Sequence, residues 1–269
     1  MSAAADTELS VLPGVSARAC GRVLLLASCS FAVVSFSMHL VHRWNGWEPI
    51  AAVDVGDEVS IPTLFETIQL LVAGLLALAL ARGGPSKHAR RVRFLGIVLV
   101  GLSIDESASI HERLGSALRD VLSTEGLLYY VWVVPAVVFA GAVALWEIPW
   151  LRSLPRTARR SIVAAGVLFV MSAGGLELLA GPGDEANGSS TMTSISLTAL
   201  EELGEMVALS LLIGALLELL AGATIGIRVA ASRSHGAAQV LGPDTNEPAT
   251  VVAHTAFATA SQKAVSNHH

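Results

Sequence analysis

A chain of 269 residues with 53% hydrophobic and 14% charged side chains, and a mean hydropathy of +0.62, is too apolar for an ordinary soluble domain. A formal net charge of −5, with no basic stripe interleaved with aromatics and no finger spacing, excludes a nucleic-acid module. Two cysteines, Cys20 and Cys29, cannot build a disulfide framework.

Apolar runs of about 20 residues are the signature of a membrane-crossing helix. Six occur in chain order, at residues 22–41, 61–81, 92–112, 127–147, 161–180 and 195–220. The predicted architecture is therefore an all-α integral membrane protein, a bundle of six transmembrane helices over residues 22–220. Residues 1–21 read as a flexible lead, and residues 221–269 as a disordered tail without apolar period.

In the first run, Leu26-Ala27-Ser28-Cys29 imitates a lipoprotein cleavage site. Only six residues separate Arg22 from Cys29, short for a signal core of 7–15, and the run continues to Val41, so a retained span is expected. His39 and His42 close it at the rim, where a solvated role is expected. A loop with Asp54, Asp57 and Glu58 leads to the second run, where Thr63, Glu66 and Gln69 form one polar stripe. The third run is apolar only from Phe94 to Ile104, half the needed length, and spans only if the acidic motif that follows lies inside the membrane. Leu114, Ala117, Leu118, Val121 and Leu122 then predict an amphipathic surface helix. In the fourth run Pro135 is expected to kink the helix. Gly174-Gly175 in the fifth run predicts close helix packing, and Gly181-Pro182-Gly183 after it an irregular outer loop.

With the N-terminus in the cytoplasm, fourteen of the 17 lysines and arginines fall inside, and only Arg43, Arg113 and Arg119 outside. This positive-inside bias places both termini in the cytoplasm. Dropping the third run would separate the arginines of residues 152–160 from those of residues 82–93, so the run is kept.

An isolated charge in lipid costs about 2.5–3.5 kcal/mol on insertion scales. Helical rise nevertheless brings acids from several runs to one depth, the outer half of the membrane. Glu66 lies about two turns into the second run and Glu177 about one turn below the outer surface in the fifth. Asp105, Ser109 and Glu112, at i, i+4 and i+7, share one face of the third, with His111 beside them. Glu201 and Glu205 share a face of the sixth, beside Glu202. Crowded carboxylates in low dielectric must bind cations, hold protons or line water. Carboxylates with one imidazole suit a divalent metal ion, Fe, Mn or Zn. The candidate ligands are Asp105, His111, Glu112, Glu201, Glu205, Glu66 and Glu177, and the candidate catalytic groups Asp105, His111 and Glu112. The spacing departs from the Glu-x-x-His pairs of ferritin-like bundles.

The pattern Asp105-Glu106-x4-His111-Glu112, followed by Glu201-Glu202-x2-Glu205, resembles a group of bacterial multipass membrane proteins of unassigned function. Those proteins carry an acidic pair and then His-Glu in a mid-chain helix. The resemblance implies a bacterial plasma (inner) membrane location, with the site on the extracytoplasmic side, and brings no activity. The leading expectation is a metal-dependent membrane enzyme, an oxidase/hydroxylase or a hydrolase, acting among membrane lipids on a lipid or other hydrophobic small molecule. The alternatives are a cation- or proton-coupled transporter and a non-catalytic membrane scaffold. No nucleotide loop, haem attachment pair or nucleophile elbow is present.

Overall fold

The computed structural model describes residues 16–83 and 87–240, with side chains up to residue 222. Among them all regular structure is helical: α1 (Ala17–Asn45), α2 (Ile61–Gly83), α3 (Ala89–Ala108), α4 (Ile110–Leu122), α5 (Val133–Ser153), α6 (Arg156–Val170), α7 (Glu177–Asn187) and α8 (Met192–Val240). A π turn, Met171–Leu176, joins α6 to α7. Five helices are long and apolar enough to cross a membrane, α6 and α7 counting as one, and a sixth arises if α3 and α4 form one bent span. The chain divides into units Met1–Ile225 and Gly226–His269, and all packing below belongs to the first. Residues 1–15 of the expected lead and 241–269 of the expected tail lie outside the described residues. α1 already begins at Ala17, and α8 stays helical to Val240.

Local chemistry sets most helix ends. Ser16 caps α1 by accepting from the Ala19 N–H at 3.1 Å, and Gly46, at φ 70°, closes it with its N–H on the His42 carbonyl. Ser60 accepts from the Thr63 N–H at 3.2 Å and starts α2, with Pro62 in the first turn, where its missing donor is harmless.

Four expectations are corrected. The third run is not one straight helix: Ser109 adopts φ 48°, ψ 45°, and the chain bends by 71° between α3 and α4. The amphipathic helix therefore starts at Ile110, and the shared face of Asp105, Ser109 and Glu112 does not exist. The fourth helix starts at Val133, because Gly126, at φ 62°, and a 3-10 turn over Gly126–Leu128 occupy the preceding stretch. Pro135 thus sits in the first turn of α5, where it removes no helix bond and needs no kink. Residues 181–187 are helical rather than a loop. Gly181 is there for close approach: a Cβ on it would lie 2.8 Å from the Gly126 carbonyl oxygen.

The main core joins α2, α3, α5, α6 and α8 through residues such as Leu70, Leu99, Trp150, Ile162, Leu209 and Leu216. Glycines set the tightest crossing. A Cβ on Gly74 of α2 would lie 2.7 Å from Val100 Cγ2 and 3.0 Å from the Gly96 carbonyl oxygen of α3. A smaller cluster of Val55, Ala199 and Met206, with Phe31 stacked at 5.4 Å on Phe65, ties α1 and its loop to α2 and α8. The expected polar stripe of α2 faces inward: Thr63, Glu66 and Gln69 are all buried, and Gln69 donates to Ser210 Oγ of α8 at 2.9 Å.

Candidate functional site

The bend at Ser109 builds the site. Asp105 and Glu106 end α3, His111 and Glu112 begin α4, and the turn folds His111 back so that its Nδ1 lies 2.8 Å from Asp105 Oδ2. In the tautomer with the proton on Nδ1, that N–H donates to Asp105 and Nε2 keeps a free lone pair. The ring also packs on Trp132, with centroids 4.6 Å apart, and Trp132 Nε1 donates to Glu177 Oε1 at 2.9 Å. Gly115 permits this arrangement, since a Cβ there would lie 2.8 Å from Trp132 Cδ1. α4 therefore rests directly on the indole.

Glu58, in the loop before α2, closes the bend from outside. Its carboxylate is held below the usual range by hydrogen bonds from Glu112 and Ser109, with Arg113 and His111 adding positive charge against slight burial. A depressed folded-state value means that the contact stabilises the bend above the ordinary value of 4.5 and is lost as pH falls through the folded value. Hydrogen-exchange protection of the first turn of α4 is accordingly expected to drop on acidification below 4.5 in the natural chain and to stay level in Glu58→Gln. Parallel drops in both proteins would remove Glu58 from this role.

On the opposite side, α8 presents Glu201, Glu202 and Glu205. Glu66 of α2 is 1% exposed and faces Glu205, Glu202 and Glu106. Among the described residues neither Glu66 oxygen meets a hydrogen-bond donor, yet Glu202 and Glu205 lie within hydrogen-bonding reach of it. Carboxylates so placed share a proton or a cation, because two bare anions in contact repel. Close packing makes the approach possible: a Cβ on Gly204 would lie 2.9 Å from Ser172 Cβ, so the α8 backbone rests directly on the Ser172 side chain of the π turn.

The seven candidate residues are thus brought into one cluster. His111 lies within electrostatic range of Asp105, Glu106 and Glu112, and it also acts on Glu177 and Glu205. Asp105 orients His111 and Glu66 backs the α8 acids. Among the described residues no three His, Cys, Asp or Glu side chains converge as a ready coordination shell.

One cavity of about 1120 Å³ has Glu112, Glu177, Glu201 and Glu205 at one end. The remainder is mainly apolar, lined by residues such as Leu99, Ala140, Ile162 and Leu209 down to Trp150. Some lining side chains are themselves exposed on the helix surfaces, Phe139 and Val167 among them, so the cavity opens sideways between helices.

Sequence reasoning missed several partners. His39 is not a solvated rim residue: its Nε2 lies 2.8 Å from Asp54 Oδ2, while Ser35 Oγ donates to Asp54 Oδ1 at 2.9 Å, pinning the loop to α1. Tyr130 donates to Asp184 Oδ2 at 2.9 Å, and burial followed by that bond pushes its phenol above the usual range. Glu147 lines the far end of the cavity, buried and without a hydrogen-bond partner among the described residues. Only a run of helical phase carried through to the end of α5 signals Glu147 in the sequence, and the loop partners have no local signal at all.

No curated protein and no solved structure matches the chain. A family described as "Domain of unknown function (DUF8692)" matches residues 23–219, a stretch that holds every acid of the cluster and the whole cavity lining. The chain belongs to the DUF8692 family.

Proposed function

We propose that this is a six-span protein of the bacterial inner membrane with both termini in the cytoplasm. Its acid–histidine cluster is the working centre of a metal-dependent enzyme on the extracytoplasmic side, acting on a lipid-like molecule. The observation that carries this reading is the cavity, with the cluster at one end and an apolar shaft for the rest. Ligand sites combine a large apolar wall with a few convergent polar groups, and this one is roughly at the upper limit of the usual 300–1,000 Å³.

The donor set supports a divalent ion of the Fe, Mn or Zn group. Crowded carboxylates offer a cation hard oxygen donors, and the Asp105–His111 pair has the form in which a carboxylate orients an imidazole for a metal. Glu112, His111, Glu201 and Glu205 would hold the ion, with Asp105, Glu66 and Glu177 orienting or completing the set. The ion would supply Lewis acidity or redox chemistry. The protein's own residues would seat the substrate and exclude water, and Trp132 would keep Glu177 and His111 in place.

Glu147 at the opposite end of the same cavity favours a second reading, a cation- or proton-coupled carrier, in which charge enters at the cluster and leaves near Glu147. Elemental analysis of detergent-purified protein separates the two. Near-stoichiometric Fe, Mn or Zn is expected, and it should vanish in a Glu201→Ala/Glu205→Ala variant that elutes and melts like its parent. Metal-free protein after supplementation would sink the metalloenzyme and leave the carrier.

A further inference from the structure

The cavity is lined by acids, yet two of its walls' side chains are arginines. Arg113, Ser116 and Arg119 follow one another at i, i+3 and i+6 on α4, so one face of that helix looks into the acidic end of the cavity. No other lysine or arginine lines it among the described residues. The guanidinium of Arg119 sits 4.1 Å from the centroid of the Tyr129 ring, which fixes its plane. Among the described residues neither arginine has a carboxylate within ion-pair distance, although the cluster next to them is acidic.

From this arrangement we infer that the lipid taken by the cavity carries a phosphate head, gripped by Arg113 and Arg119, with its tail laid along α5. The inference rests on the lipid reading above and names the substrate class. Guanidinium forks match phosphate oxygens in geometry and charge, while Ser116 between them donates its hydroxyl to the Arg113 carbonyl and leaves the head to the two arginines. The tail has room: between Val133 and Trp150 α5 rises about 26 Å, more than the roughly 15 Å of hydrocarbon in one leaflet. Placing the phosphate on α4 also sets the ester oxygens of the head beside the cluster on α7 and α8, where a bound cation would neutralise the acids that otherwise repel it.

The test compares two lipids with the same tails. Full-length protein in detergent, stripped of lipid, is incubated with dioleoyl phosphatidate or with dioleoylglycerol, and retention is read by native mass spectrometry. The natural protein is expected to retain the phosphatidate about tenfold better or more. Arg113→Gln/Arg119→Gln is expected to bring that ratio to near unity while retention of dioleoylglycerol stays unchanged, and Arg113→Lys/Arg119→Lys is expected to keep part of it. Equal retention of both lipids by the natural protein, or a ratio that the glutamine variant leaves untouched, would overturn the phosphate assignment and leave the lipid cavity standing. Retention of neither lipid would overturn both.

Discussion

Gly204→Val is expected to be strongly damaging, lowering the melting temperature in detergent by on the order of 10 °C. The hydrogen at this position faces the π turn: an added Cβ would lie 2.9 Å from Ser172 Cβ and would collide with Ser172 Oγ. Ser172 is itself buried, so it has no route of escape. Overpacking of a rigid contact costs about 1–3 kcal/mol, and the two further methyls of valine push the loss to the top of that range or beyond it. Gly204→Ala is expected to fall between valine and the natural chain. Thermal unfolding followed by size-exclusion chromatography checks the series. A valine variant within about 2 °C of its parent would mean that α8 and the π turn can part without penalty.

Glu66→Ala is expected to cost about 3 kcal/mol, whereas Glu66→Gln costs less than about 1 kcal/mol. The contrast follows from what surrounds the side chain. Glu66 is 1% exposed, no donor among the described residues meets its oxygens, and the groups within reach are the carboxyls of Glu205 and Glu202. Either a hydrogen or a cation has to sit between them, and a hydrogen is the case in which the two variants differ. Glutamine supplies one permanently in nearly the same volume. Alanine removes it, leaves a cavity and strands an acid on α8. Denaturation of both variants in the same detergent reads the difference directly. Equal losses would show that the carboxyl itself is needed, as it would be if a cation rather than a proton joined α2 to α8.

The helices that were easiest to foresee are those whose run is long and apolar apart from a few acids, α1, α2 and α8. Their membrane-length hydrophobicity does not depend on any distant contact. The α3–α4 bend was hidden because Ser107-Ala108-Ser109 contains neither glycine nor proline. Its left-handed residue is tolerated where Glu58, 51 residues away in the loop before α2, accepts from Ser109 Oγ and fixes the corner. Gly181-Pro182-Gly183 misled in the opposite direction: these residues signal a loop on their own, but in α7 the glycine answers to the backbone of residue 126. The cluster was legible because depth follows from counting residues along a helix. The individual pairings were not, since Asp54 to His39, Trp132 to Glu177 and Glu58 to Ser109 each cross between separate elements.

The π turn at Met171–Leu176 carries a consequence for how this protein can vary. Such a turn holds one residue more than an α-helical turn, so everything after it lags an uninterrupted helix by about 100° of rotation and about 1.5 Å of rise. Glu177 reaches Trp132 only in that phase. The bulge itself therefore sets which way the end of this long helix points. Closing the turn into regular α-helix with all its residues would leave every acid of the cluster in the gene and still turn Glu177 away from Trp132, whereas deleting one residue inside the turn would let it close with Glu177 still in phase.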